Sequence, residues 1–490
     1  MAQHEISNSA VASAAIDAAS AAGATYADIR ISRRLSQFVH AREQTPLSAT
    51  DRRTHGLGVR VLAGGAWGFA ASTSVTPEEG ALCARRAVEI AKANSRLIET
   101  PVTLAPSTPV QAVWATPVVR DPFDVPAGEK LELLLAINAE AMRTARVKFC
   151  QSMIYSTREQ KFFASSEGAS IDQNICRIWP EFKATAVSSD GADFQSRRSL
   201  AAPVGAGYEA VTSLDLLGEA ARAGVEAAAK LDAPPLVPGR RDLILMPSML
   251  WLVIHESIGH ATELDRILGY EANFAGTSFV GADQIGKLQY ASPIVNVIGE
   301  RTRPNGLATV GFDDEGVAAS QFDIIKSGVL AGLQTIREQA HIIGDAASHG
   351  CAFADSYATT PLQRMPNISL LPGKSALTRE DLIAGVEDGL LIEGDGSWSI
   401  DQQRRNFQFG GQLGYSIKNG KVDSLVRDFA FQSNTLEFWN SCDAIGGPDT
   451  FELYGTYFCG KGQPCQAAPV SHGSSPARFR NVNTINTAKC

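Results

Sequence analysis

No stretch of the sequence approaches the about eighteen consecutive apolar residues that a membrane-crossing helix needs, so the chain is not expected to span a membrane, and no membrane partner is expected. Positive charge is not in excess either: 44 Lys and Arg face 52 Asp and Glu, a formal charge of −8. Nucleic acid is therefore excluded as the main partner, because a phosphate backbone is bound by a surplus of cations. Cysteine is sparse, eight residues without regular spacing in a chain of 490. That excludes a disulfide framework and fits a reducing compartment, with most of the thiols acting as small buried apolar groups and the terminal Cys490 exposed and without a role. The opening "MAQHEISNSAVASAAIDAASAAGATYADIR" lacks the basic start, apolar core and cleavage site of a signal peptide. It reads as an alanine-rich helix over about residues 8–22, and the expected location is the cytoplasm.

What is present describes an ordinary folded protein, with 44% apolar and 20% charged residues, long enough for two or three domains. Helical spacing recurs at about 77–94, where Thr76 is placed to cap and Pro77 to start the helix, and again at about 127–146 and 214–231. Between the first two helices, "GLGVRVLAGGAWGFAAS" reads as two strands joined at Gly64 and Gly65. Residues 149–198 read as a meander of four or five strands. Helices set on an antiparallel sheet predict an α+β domain. Three prolines and a glycine in "LDAPPLVPGRRD" mark a linker, which divides the chain into an N-terminal α+β domain, 1–235, and a β-rich C-terminal domain, 236–490. Just beyond it, "RDLILMPSMLWLVIHESIGHATELDRIL" is a short buried strand followed by a helix, and Asn419-Gly420 marks a later hairpin turn.

That helix carries "HESIGH". His255 and His260 stand at i and i+5, about 140° apart on a regular α-helix, so they could not share an ion. A π-bulge adds one residue to a turn and restores the alignment, and such bulges are frequent at functional sites. Gly259 is the residue type that best tolerates the distortion. The apolar "LWLVI" before His255 puts Glu256 near a buried surface, where a carboxylate needs a partner. A catalytic zinc takes three protein ligands and keeps one open position. Glu263, Asp265, Glu271, Cys442, Cys459, Cys465 and His472 are all candidates for the third ligand, and the residues alone leave the choice open. Cys459, in "YFCGKGQP", has glycines that let the backbone bend around an ion and Lys461 to favour a thiolate. The "DDEG" at 313–316 reads as a solvated turn or an acidic loop near the site. Glu263 and Asp265 read as acceptors orienting the histidines or as surface partners of Arg266. Arg364 reads as a substrate clamp or a structural salt bridge.

The segments "HESIGHATELD" and "YFCGKGQP", with "GLGVRVLAGGAWGFAAS", "GFDDEGVAAS" and "RMPNISLLPGK" in order between and before them, resemble the TldD/PmbA family of metallopeptidases, and specifically its catalytic TldD-type subunit. The resemblance implies His255, His260 and Cys459 as metal ligands and Glu256 as the catalytic glutamate. It further implies one zinc ion per chain, preferred over iron or cobalt by this donor set, and a dimer, either homomeric or with a PmbA-type paralogue. The expected activity is cleavage of unfolded polypeptides or peptide precursors by a metal-activated water with Glu256 as general base. Extended substrates would add to a strand edge. The alternative is a non-catalytic regulator that binds a peptide or protein and uses the metal only for stability, which a closed site with His472 or Cys465 as fourth ligand would support.

Overall fold

The computed structural model describes residues 7–489, so Cys490 lies outside the described residues. Helix α1 (Asn8–Ala21) begins at Ser7, whose hydroxyl accepts from the Ala10 N–H. It packs with α2 (Pro77–Asn94), capped by the Thr76 hydroxyl on the Glu79 N–H. Both lie on a seven-stranded sheet of β1 (Tyr26–Arg42), β2 (Thr45–Ala63), β3 (Ala66–Ser72), β4 (Gln111–Ala115), β5 (Val147–Ser165), β6 (Ser170–Val187) and β7 (Phe194–Arg198). Gly64 and Gly65, with φ of +62° and +80°, make the β2–β3 turn. That geometry is open to glycine without steric cost. The same sheet carries α3 (Ala127–Ala141), α4 (Glu209–Thr212) and α5 (Leu216–Asp232).

Residues 149–198 form three strands and not four or five, because β5 and β6 run for 19 and 18 residues without a break. Each is long enough to pair along the whole length of its neighbour. Helix α3 ends at Ala141, with the turn at Thr144 already feeding β5. The proline-rich segment after α5 is packed against the body: Leu236 is buried and its N–H bonds to the Arg427 carbonyl.

From β8 (Gly239–Leu245) onward a second sheet closes on itself. β8 pairs in parallel with Asp388–Ile400, which pairs with Asn406–Lys418; the circuit returns through Phe429–Asn434 and Ala477–Asn486 to β8. The fold is thus α+β with a C-terminal β-barrel. Asn419 and Gly420, both at positive φ, turn Asn406–Lys418 into Lys421–Val426. Helix α6 (Pro247–Ile254) leaves β8 directly and buries Met249, Leu250, Val253 and Ile254 in the largest apolar core, with Phe409, Phe431 and Trp439. Three smaller sheets complete the described residues: a four-stranded sheet that includes Asn367–Leu370, a pair of Ala352–Phe353 with Leu362–Gln363, and a two-stranded hairpin of Glu452–Lys461 and Gln466–Ser474.

Polar side chains join the first sheet to the rest. Buried Arg60 bridges Asp28 (2.7 Å) and Glu315 (3.0 Å), and Lys161 pairs with Asp314 at 2.8 Å. The Asp-Asp-Glu segment is therefore no solvated turn. All three acids are buried at this junction, and the cations paired with Asp314 and Glu315 come from strands more than 150 residues away in sequence. No helix among the described residues is long and apolar enough to cross a membrane.

Candidate metal centre

Helix α6 continues into a π-helical turn, His255–Gly259, in which the His260 N–H bonds to the His255 carbonyl five residues back. The extra residue brings both histidines to one side, with ring centroids 4.7 Å apart. A π turn followed by a short 3₁₀ turn leaves backbone carbonyls without helical partners. Here side chains fill those places. Tyr290 donates to the Ser257 carbonyl, Thr262 to that of Ile258 at 2.8 Å, and Gln334 to that of Gly259 at 2.6 Å. Gly259 has an ordinary right-handed backbone (φ −52°), so its role is not conformational tolerance. It gives room, since a Cβ there would collide with Met365 Sδ.

Cys459 comes from the hairpin. A register shift between Thr456 and Cys459 re-aims the strand, as bulges near functional sites do. Tyr457 then packs into the first sheet, stacked on Trp179 and edge-on to Tyr155. Cys459 faces His260, with Sγ 3.6 Å from Nε2. The candidate ligand atoms of His255, His260 and Cys459 all lie within 4.8 Å of one another, and all three residues are buried.

Hydrogen bonding decides which nitrogen each histidine offers. His472 Nδ1 lies 3.2 Å from the Ile368 carbonyl, which can only accept, so Nδ1 carries the proton and Nε2 is an acceptor. His255 Nδ1, 2.8 Å from that Nε2, must donate. The lone pair of His255 is thereby left on Nε2. His260 Nδ1 donates to Glu263 at 2.9 Å and likewise keeps its lone pair on Nε2. Burial lowers the pKa of all three imidazoles and favours these neutral forms.

The donor set fits zinc. Nitrogen and sulfur ligands about 2.1 and 2.3 Å from a tetrahedral ion stand roughly 3.6 Å apart, the separation found between His260 and Cys459. Burial opposes ionisation of the Cys459 thiol, but His260 and Arg364 outweigh it and hold the pKa below the ordinary thiol value. Arg364, and not Lys461, thus stands behind the thiol's acidity. Its guanidinium donates to the backbone carbonyls of Cys459 and Gln466, which makes it a brace of the hairpin and neither a salt bridge nor a substrate clamp. Lys461 is taken up by Asp265 at 2.7 Å and Glu263 at 3.2 Å. Glu263 is the acceptor that orients His260; despite its burial, Lys461, His260 and Arg266 keep its pKa well below the ordinary carboxylate value. Asp265 makes no such bond to a histidine, and Glu271 pairs with Arg266 at 3.0 Å.

The family model described as the PmbA/TldA metallopeptidase C-terminal domain matches residues 238–485, and those for domain 1 and the central domain match 27–91 and 120–231. The chain belongs to the PmbA/TldD family of metallopeptidases. A protein of Methanothermobacter thermautotrophicus named metalloprotease is 29% identical over 93% of this chain and 94% of its own length. A Saccharolobus solfataricus relative named zinc metalloprotease TldD homolog is 27% identical over 42% of this chain and 44% of its own. TldE from Thermococcus kodakarensis shares the fold, with a TM-score of 0.71 at 18% identity over 96% of this chain and 98% of that one.

Within this PmbA/TldD chain, His472 and Cys465 are not placed to close the site. Both His472 nitrogens are engaged behind His255, and Cys465 is exposed in the hairpin turn. Cys442 is buried elsewhere, with its thiol toward the Ala444 carbonyl. Glu256 is buried beside the histidines, and its Oε2 accepts from Arg404. Sequence reasoning missed Arg404, Gln334 and Tyr290. The arginine pair in "DQQRRN" has the look of a solvated turn, and nothing local links it to a helix some 150 residues earlier.

Proposed function

We propose that the protein is a zinc-dependent peptidase in which His255, His260 and Cys459 hold the ion and Glu256 is the general base. The observation that carries this reading is the tautomer lock: two separate hydrogen-bond chains, through His472 and through Glu263, leave both imidazole lone pairs on Nε2. A histidine pair serving only the core would not need both rings fixed this way, whereas metal-binding histidines are characteristically oriented through the other nitrogen.

Zinc in such a site supplies a Lewis acid that lowers the pKa of water toward neutrality and polarises a peptide carbonyl. The chain's residues supply the proton transfers. Glu256, with Oε2 held by Arg404, receives the proton of the attacking water on Oε1 and returns it to the departing amine. The buried position of His255, Glu256 and His260 supports an unfolded polypeptide or peptide precursor as substrate, since an extended chain can reach recessed groups that a folded surface cannot. The hairpin bearing Cys459 pairs as a sheet of only two strands, which suits capture by strand addition. A binding protein with a structural ion would want a fourth protein ligand, and neither His472 nor Cys465 is placed to be one.

The test is mass spectrometry of an unstructured peptide mixture incubated with wild-type protein and with Glu256→Gln of verified, equal metal content. Cleavage by the wild type alone is expected, with the variant slower by about 10²- to 10⁴-fold. Equal cleavage by both would remove Glu256 as the base.

A further inference from the structure

Arg404 sits in the turn between Asp388–Ile400 and Asn406–Lys418, and its φ of +64° is uncommon for so large a side chain. Several bonds hold it there. The Asp401 carboxylate accepts from the Arg405 and Asn406 N–H groups at 2.8 and 3.0 Å, and the Thr435 hydroxyl donates to the Arg404 carbonyl at 2.7 Å. Backbone held in a sparsely populated region by its surroundings is frequent where a side chain must be aimed. The side chain is 13% exposed, and Nη1 donates to Glu256 Oε2. Nε is buried with no hydrogen-bond partner.

A guanidinium whose only task was to neutralise Glu256 would gain most by presenting its two-donor Nε–Nη2 edge to the carboxylate. Instead it uses Nη1 and leaves Nε, one donor of that fork, buried without a partner beside the base. Unpaired buried donors are costly and call for an explanation.

We propose that Arg404 is a second catalytic residue, whose Nε–Nη2 edge donates to the carbonyl oxygen of the scissile peptide and stabilises the negative charge that develops there. This rests on the peptidase reading above. As the water oxygen bonds to the carbonyl carbon, one water proton passes to Glu256 and the C=O π pair moves onto the oxygen facing Arg404. When that pair returns, the C–N bond breaks and its electrons take the proton from Glu256, giving a carboxylic acid and an amine. Arg404 donates hydrogen bonds throughout and keeps all its protons.

The experiment compares metal-loaded wild type with Arg404→Ala and Arg404→Lys, after confirming equal metal content and thermal unfolding. Three quantities are read: kcat and KM on a cleaved peptide, recovery of Arg404→Ala by millimolar guanidinium chloride, and calorimetric affinity for a phosphinic peptide and for the parent amide. Expected for Arg404→Ala is a kcat loss on the order of 10²- to 10³-fold with KM little changed, a parallel loss of phosphinic-peptide affinity, partial recovery with guanidinium, and an intermediate Arg404→Lys. Unchanged kcat, or equal weakening toward both ligands without recovery, would overturn the proposal while leaving the peptidase standing. A wild type that neither cleaves peptides nor prefers the phosphinic compound would bring down both.

Discussion

At the residue scale the candidate centre depends on side chains outside the proposed ligand set. Removing the acceptor behind a metal-binding histidine frees its ring and tautomer, typically at a cost of 10- to 100-fold in metal affinity. His472→Ala is therefore expected to weaken zinc binding by that factor in competition titration with a chromogenic chelator, while Cys465→Ala leaves it unchanged. Equal affinity for the His472 variant and wild type would mean that the Ile368–His472–His255 chain is ordinary core packing. The motif itself was legible in sequence: His255, His260, Glu256 and Cys459 are named by their pattern and by family resemblance. His472 could be flagged only as one histidine among several donors, because its task is defined by a carbonyl on another strand. Arg404 had no local signal at all.

At the element scale the five-residue spacing required a π-bulge, and the helix contains one at His255–Gly259. The reason for Gly259 was not legible, since the obstacle is Met365, more than 100 residues later. A methyl group at that position would overpack the join between helix and neighbouring chain, costing about 1–3 kcal/mol. Gly259→Ala should accordingly lower the urea midpoint, and shortening the obstacle in Gly259→Ala/Met365→Ala should recover part of the loss. A double variant no better than the sum of its single changes would refute this contact as the cause. The β2–β3 and Asn419-Gly420 hairpins were legible because positive φ at two successive residues restricts the choice to glycine and asparagine. The strand count in 149–198 was not, because a long twisted strand and two short ones carry the same alternation.

At the scale of the whole molecule, the first sheet and the barrel region meet through buried charge. Asp313 accepts N–H bonds from Glu315, Val317 and Ala352, yet burial and the neighbouring Glu315, opposed by Arg301, push its pKa up to about 7 from 3.8. Between those values the folded state binds more protons than the unfolded one. Stability from this group is complete below the unfolded value and is lost as pH rises through the folded one. Relative to Asp313→Asn, the wild type should therefore lose stability from about pH 4 to about pH 7 in urea unfolding curves. Parallel curves for the two proteins would exclude Asp313 as the source.

By itself the sequence determined the local geometry: which segments are helices, where the glycine turns fall, and that a strand must deliver a hydrophobic helix bearing two histidines and a glutamate. These follow from backbone sterics and from the period of apolar residues, both of which act over a few positions. Only the tertiary structure decided which nitrogen His255 offers, why Glu256 can be buried, and what Asp313, Asp314 and Glu315 are for. Each of those depends on a partner more than thirty residues distant. Desolvation makes such partners obligatory, but only the folded arrangement of strands and helix determines which side chain arrives to meet the need.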